Sequence, residues 1–217
     1  MTAADIERLA GRGEGQTLEF KQRTPEPPRL AKEIIAFANT DGGRLIIGID
    51  DDGNVVGVKD ADEEEFALRN ALEAHCTPKI KWRTERVEIT RKRDVIVIAV
   101  PRSKLRPHFL IGKDSQHDKM AYVRVGDRSL EATREAVELM ATADNGEDVQ
   151  FEFREVELRL MKYLEQYGRI GVNSFSRFAN ISEEEAGQVL VTLTRADVLA
   201  HHLDLEGDYF TLLYDQS

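Results

Sequence analysis

Two stretches decide the fold: GEGQTLEFKQR at residues 13–23 and AFANTDGGRLIIGIDDDGNVVGV at residues 36–58. In the first, Leu18 and Phe20 alternate with polar residues, which predicts a β-strand. In the second, residues 44–50 are apolar on both faces, the pattern of a strand at the centre of a sheet. Three acidic residues lie on or beside these strands: Glu14, Glu19 and Asp51. Acidic side chains on or beside buried strands need a structural or a chemical explanation.

The rest of the first two thirds of the chain mixes helices and strands, which predicts an α+β fold. Its best helix spans residues 29–39, where Leu30, Ile34 and Phe37 recur at helical spacing. Asp52-Gly53 is a two-residue hairpin signal, with a return strand expected over 54–58. The remaining predicted elements are helices over 3–10, 63–75 and 133–143 and strands over 81–89 and 95–100. The first of these helices is predicted to begin with a capping box at Thr2 and Asp5.

From Phe151 onward the pattern changes to consecutive helices followed by a hairpin. Ser182 and Glu185 form a capping box at the start of the last of these helices. Three helices and a hairpin predict a winged helix-turn-helix. We therefore expect three parts in the chain: a mixed domain over 1–145, a linker over 146–153 and a winged helix over 154–217.

Charge is distributed unevenly along the chain. The whole protein carries a formal charge of −10, but residues 79–106 contain ten basic residues and three acidic ones, a local charge of +7. A protein that binds a polyanion needs one basic surface, with acid elsewhere. An alternative explanation is that these basic side chains lie on solvent-exposed strand edges, where charge prevents aggregation. The segment 154–217 is acidic, with six basic and eleven acidic residues, so we expect nucleic acid to bind the N-terminal domain.

Several classes of protein are disfavoured by composition. The single cysteine, Cys76, excludes an internal disulfide and a cysteine-rich zinc site. No apolar run approaches the length of a membrane span, and the first residues lack a secretory signal, so we expect a cytoplasmic protein with no membrane partner.

Five motifs, in order, resemble the Schlafen-type AlbA domain: EGQTLEFK at 14–21, AFANTDGG at 36–43, IGIDDDG at 47–53, RPHF at 106–109 and AYVRVGDRS at 121–129. The resemblance covers roughly residues 6–143. It implies a mixed sheet with flanking helices and a nucleic-acid-binding module. Bacterial and archaeal members often carry a C-terminal helix-turn-helix, which agrees with the winged helix expected here.

The resemblance also implies possible chemistry. In animal Schlafen endoribonucleases, matching motif positions form a metal-dependent catalytic site. The resemblance therefore implies Glu14, Glu19 and Asp51 as catalytic residues and ligands of Mg²⁺ or Mn²⁺, with Lys21 as a further candidate catalytic residue. Carboxylate oxygens suit these hard cations. Two of these residues also have a purely structural interpretation: Glu19 could pair with a basic residue of a neighbouring strand, and Asp51 could be a turn residue. The animal enzymes have two such lobes and this chain has one, so a complete groove would need a homodimer.

The leading hypothesis is a binder of RNA or DNA that acts as a transcriptional or RNA-level regulator and needs no cofactor for binding. The predicted phosphate contacts are basic side chains of the N-terminal domain: Arg83, Arg91, Lys92, Arg93, Arg106 and Arg124. The alternative is a divalent-metal-dependent endoribonuclease acting on structured RNA such as tRNA or rRNA. A third hypothesis is an interaction module whose basic segment meets an acidic protein.

Overall fold

The computed structural model describes residues 1–112, 119–143, 151 and 153–213. The chain divides into two compact units, the first spanning Met1–Ala132 and the second beginning at Thr133. Within the described ranges, no helix combines the length and apolarity that crossing a membrane requires.

The first unit contains three helices and eight strands in its described part. Their bounds are α1 Ala3–Ala10, β1 Leu18–Lys21, α2 Pro27–Asn39, β2 Gly42–Ile47, α3 Ala61–His75, β3 Cys76–Thr77, β4 Arg83–Thr90, β5 Arg93–Pro101, β6 Phe109–Ile111, β7 Lys119–Val125 and β8 Arg128–Glu131. The strands form two four-stranded sheets, in the orders β1-β2-β5-β4 and β3-β6-β7-β8. In the first sheet β1 and β2 are parallel and the other pairs are antiparallel. The α+β class with a mixed sheet and flanking helices is confirmed, and the second sheet is an addition to the predicted fold.

Helix α2 is the centre of the first unit. Its side chains are buried on every face from Ile34 to Asn39, because the helix packs on β2 and β5 of the first sheet and on β6 and β7 of the second. At the start of β2, a Cβ on Gly43 would lie 2.4 Å from the ring of Phe37. The strand therefore needs glycine there to reach its contact distance from the helix.

The opposite face of the first sheet is covered by α1. This helix begins with the predicted capping box, in which Thr2 Oγ1 accepts from the Asp5 amide and the Asp5 carboxylate accepts from the Thr2 amide. Ile6 is fully buried in a core with Phe20 and Ile46. Both faces of the first sheet are thus covered along residues 45–47 of β2 and 95–98 of β5, which explains why these segments are apolar on both sides.

The hairpin predicted after β2 is irregular. Residues 54–58 form no regular strand and contribute isolated bridges, Ile49 with Val55 and Val58 with Asp94. The turn is held by Asp50, whose carboxylate accepts from the amides of Asp52 and Asn54. The Asp50 side chain thus stabilises this turn, whereas the Asp52-Gly53 pair predicted a two-residue hairpin turn.

The second unit contains four helices and one hairpin in its described part. Their bounds are α4 Arg134–Thr142, α5 Glu155–Tyr167, α6 Val172–Ala179, α7 Glu183–Arg195, β9 Leu199–His202 and β10 Tyr209–Leu212. The order α5-α6-α7-β9-β10 is the order from which the winged helix is predicted. That assignment stays a prediction.

Helix α4 belongs to the second unit, whereas the sequence pattern places it in a first domain ending at residue 145. The reason is its packing on α7. A Cβ on Gly187 would lie 2.4 Å from the carboxylate of Glu135, so glycine allows this close approach. Most of the predicted linker over 146–153 lies outside the described residues.

His108 is the most completely buried titratable residue of the first unit, with no exposed surface. Its Nδ1 lies 2.8 Å from the carbonyl oxygen of Pro78 and its Nε2 lies 2.7 Å from Ser103 Oγ. Burial lowers the pKa of His108 below its ordinary value. The neutral ring is therefore part of the folded state.

This burial makes stability depend on pH. The unfolded chain takes up a proton near the ordinary histidine pKa of about 6.5, before the folded chain does, so stability falls as pH drops below that value. We expect the urea concentration at the unfolding midpoint to be lower at pH 5.5 than at pH 7.5. In His108→Asn the free energy of unfolding should depend less steeply on pH, by up to about 1.4 kcal/mol per pH unit. Equal pH dependence in the two proteins would contradict this role.

Candidate nucleic-acid interface

Glu14 lies at the outer edge of the first sheet. Its side chain is exposed, and Oε1 accepts a hydrogen bond from the Phe20 amide at 2.8 Å. Strand β1 ends the order of the first sheet, so this amide faces away from β2. The carboxylate thus covers part of an open strand edge, a structural role for a residue predicted to bind metal.

Glu19 is buried and paired with two cations. Its Oε2 accepts from Arg124 Nη2 at 2.5 Å, and its Oε1 accepts from Lys21 Nζ. Lys21 Nζ also donates to the Phe20 carbonyl at 3.0 Å. The structural interpretation of Glu19, a pair with neighbouring bases, is therefore the one that the contacts support.

Asp51 is exposed in the turn that Asp50 holds. Across the described ranges, no group of three or more His, Cys, Asp or Glu residues has an arrangement that could hold a metal ion. Glu14, Glu19 and Asp51 therefore do not form the predicted three-carboxylate site. The described structure therefore supports no chemical step through a metal at these residues, and binding of Mg²⁺ or Mn²⁺ stays a prediction.

Arg124 is the most important correction to the predicted phosphate contacts. Its side chain is 1% exposed, and all three of its guanidinium nitrogens donate hydrogen bonds within the unit. Besides Glu19, the acceptors are Glu33 Oε2 at 3.0 Å, Ser129 Oγ at 3.3 Å and the Gly15 carbonyl at 3.1 Å. A buried guanidinium with these partners has no donor left for a phosphate. The prediction is wrong for this residue.

The other predicted contacts do not form one surface. Arg83 is exposed at the start of β4, whereas Arg91 and Lys92 are exposed in the turn that follows it, roughly 25 Å away along an extended strand. Arg93 Nη1 donates to the Gly57 carbonyl at 2.9 Å, and Arg106 Nη1 donates to the Ser103 carbonyl at 2.9 Å. The basic segment is therefore divided among several places.

Arg86 shows why the local charge of +7 overstates the basic surface. It donates to Asp62 at 2.6 Å and to Glu65 at 2.9 and 2.8 Å, both on α3. The hydrogen bonds to Glu65 and Asp62 raise the pKa of Arg86, and the bond from Arg86 lowers the pKa of Glu65. This arginine is neutralised by its neighbours.

A groove of about 860 Å³ collects the cations that remain. It lies on the α1 face of the first sheet, where β1 and β2 begin and β5 ends. Four exposed basic side chains line it: Arg12, Arg44, Lys81 and Arg83. None of the four has a side-chain hydrogen bond or an ion pair with any residue that the structure describes. Their charges are available to a ligand.

The strand register places two of these arginines side by side. Arg44 pairs with Ala99 on β5, and Ala99 pairs with Arg83 on β4. Residues in one row of a sheet point to the same face, so the two arginines flank the small side chain of Ala99 across roughly 10 Å, two interstrand spacings. This row is the floor of the groove.

The walls of the groove are fixed by hydrogen bonds. Gln16 Nε2 donates to Asp41 Oδ2 at 2.9 Å and to the Arg124 carbonyl at 3.0 Å, and its Oε1 accepts from the Gly126 amide. Asp41 and Glu14 also line the groove, and each accepts at least one hydrogen bond from the protein. With four cations against two carboxylates, the lining is basic.

Of the four cations that line the groove, the predicted phosphate contacts include Arg83 and omit Arg12, Arg44 and Lys81. One signal was available for Arg44: it alternates in β2 with Leu45, so it must face away from α2. That it meets Arg83 across Ala99 depends on the order and register of β2, β5 and β4. Neither can be read from a single sequence.

The contacts of Arg124 predict a large cost for its removal. Replacing Arg124 by Met leaves the carboxylates of Glu19 and Glu33 without this partner, and breaking a buried pair on one side costs about 3–5 kcal/mol. We expect Arg124→Met to lower the free energy of unfolding by that amount in urea denaturation. The matched control is Arg128→Met at an exposed position nearby, which should change it by less than about 0.5 kcal/mol. Similar effects of the two changes would contradict the assigned role.

Two solved structures are similar to this chain at low sequence identity. The N-terminal domain of an ATP-dependent DNA helicase RecG-related protein from Nitrosomonas europaea is similar to 61% of this chain over 94% of its own length, at 20% identity and a TM-score of 0.44. The DIP2311 protein from Corynebacterium diphtheriae is similar to 97% of this chain over 38% of its own length, at 21% identity and a TM-score of 0.46. With TM-scores below 0.5, neither likeness bears on function.

A family model matches far more specifically. The model described as Schlafen, AlbA_2 covers residues 14–133, more than half of the 217 residues. The match includes β1, the central helix α2, Arg124 and most of the groove. The chain belongs to the Schlafen AlbA_2 family.

Proposed function

We propose that the first unit binds nucleic acid through the groove lined by Arg12, Arg44, Lys81 and Arg83. One observation carries the proposal: on a chain with a formal charge of −10, four exposed cations without protein partners in the described structure line one concave surface. Phosphates would supply the missing counter-charges. The nucleic-acid-binding role implied by the family resemblance agrees with this.

The composition of the groove favours nucleic acid over an acidic protein. Arginine presents a planar fork of donors that matches phosphate oxygens. Beside the cations, the groove is lined by apolar and aromatic side chains, among them Leu9, Leu18 and Trp82. Such a mixture suits the alternation of charged phosphates with apolar bases.

The second unit contributes little to this binding in our proposal. Its helix α7 begins with Glu183, Glu184 and Glu185, capped by Ser182 Oγ. Negative charge stabilises the positive end of the helix dipole, but it repels phosphates from the turns that a recognition helix presents to DNA. Arg134 donates to Glu184 at 3.0 Å, so a cation of α4 is also occupied there. The winged helix and the homodimer stay predictions.

The proposal predicts that two arginines dominate affinity. We expect the double change Arg44→Ala and Arg83→Ala to weaken binding of a fluorescein-labelled 20-nucleotide strand at least tenfold, since each charged hydrogen bond contributes about 1.5–3 kcal/mol. Fluorescence anisotropy over a range of salt concentrations measures this. The slope of log K against log salt should become shallower by about 0.7 for each phosphate that the variant no longer neutralises.

The control removes the same charge elsewhere. Arg91→Ala with Lys92→Ala changes two exposed cations in the β4–β5 turn, away from the groove. This variant should keep its affinity within about threefold. If it loses as much affinity as the groove variant, binding depends on general charge and the groove is not the site.

We further propose that the protein acts as a regulator that binds without cleaving. Support comes from Glu19, whose carboxylate is occupied by Arg124 and Lys21, and from the separate position of Asp51. We expect structured RNA to stay intact during incubation with the protein and Mn²⁺. Cleavage that EDTA stops, and that is lost in Glu14→Gln with Asp51→Asn, would favour the endoribonuclease. Glu19→Ala is unsuitable for this test, because it removes a partner of the buried Arg124.

A further inference from the structure

We propose that the groove takes an unpaired single strand of nucleic acid and excludes the duplex. This inference rests on the proposed function and specifies its ligand. It comes from two features of the groove: the width of its floor and the height of its walls.

The floor is narrow. Arg44 and Arg83 are separated by one strand, so their backbones are roughly 10 Å apart, and the side chain between them is only that of Ala99. The major groove of B-DNA alone is about 12 Å wide, so a whole duplex is broader than this floor. A single backbone can lie along the row with a phosphate near each arginine.

The floor is also recessed. Helix α1 packs on the same face of the sheet through Ile6, and its Leu9 lines the groove beside the floor. A helix with its side chains is about 10–12 Å across, so α1 stands above the level of Ala99 by that order. On another side lies the segment that contains Gln16, which its hydrogen bonds hold in place. A rigid duplex would meet these walls before its phosphates reached the floor.

Trp82 lies at one end of the groove, next to Arg83. It lies between the cations Lys81 and Arg83, is partly buried against the core beneath α2, and lines the groove. Its ring packs on the α2 side of the sheet, opposite the row of Arg44, Ala99 and Arg83. Trp82 is the single tryptophan of the chain, so its fluorescence reports on this site alone.

The test compares strands with a duplex on the whole protein. The probes are a 12-nucleotide oligo-dT, a 12-nucleotide oligo-U and a 12-base-pair DNA hairpin, titrated at one salt concentration. Anisotropy measures affinity, and Trp82 emission measures occupancy of the groove. We expect both strands to bind at least tenfold more tightly than the hairpin, and we expect them to quench Trp82.

Changes at Ala99 test the floor itself. Ala99→Leu fills the space between the two arginines, so we expect it to weaken strand binding at least fivefold and to leave hairpin binding unchanged. Ala74→Leu makes the same change at an exposed position of α3 outside the groove, so it is the matched control and should bind as the natural protein does. Circular dichroism confirms that each variant is folded.

The outcomes separate this inference from the proposed function. Equal affinity for hairpin and strands, abolished in the Arg44 and Arg83 variant, would overturn the inference and keep the function. Strand binding that neither quenches Trp82 nor responds to Ala99→Leu would overturn the placement in the groove. Binding of none of the probes would overturn the proposed function itself.

Discussion

The first unit depends on one buried ion cluster. Arg124 on β7 reaches Glu19 on β1, Glu33 on α2 and Ser129 on β8, and so joins the edge of the first sheet, the central helix and the second sheet. Its guanidinium also lies over the ring of Phe37, 5.0 Å from the centroid. Removing charges from water is costly, and the cost is offset here because every nitrogen of the guanidinium has an acceptor. Ion pairs and hydrogen bonds of Arg124 therefore hold the two sheets together, in addition to apolar packing.

The same cluster also determines which charged side chains are available to a ligand. By pairing with Glu19, Arg124 removes both groups from any role toward a ligand. By accepting from Gln16 through its carbonyl and donating to Gly15, it also fixes the segment that forms one wall of the groove. The available cations are then left on the other face of the first sheet, where the row through Ala99 brings Arg44 and Arg83 together.

Local patterns predicted a large part of this fold. The capping box at Thr2, the central helix α2 and the apolar strands β2 and β5 follow from periodicity and turn chemistry, and all of them are present. The motifs around β1 and β2 also identified the family that the match over residues 14–133 establishes. Such features depend on neighbours within about ten residues, which is why a single sequence contains them.

The remainder depends on contacts between distant residues. Arg124 lies 105 residues from Glu19, and no local pattern distinguishes an arginine that enters a core from one that faces a phosphate. The same holds for the packing of α4 on α7, which depends on the space at Gly187. Arg44 could be assigned to a face from alternation alone, but its meeting with Arg83 required the register of three strands.

Backbone amide chemical shifts would test the central claim most directly, because they map the ligand onto the sheet without any substitution. On titration of the labelled protein with oligo-dT, binding in the groove predicts that the perturbed amides cluster at residues 41–44, 81–83 and 99–101, the segments that line it. Perturbations centred on residues 91–93 in the β4–β5 turn, or on helix α7 of the second unit, would contradict it.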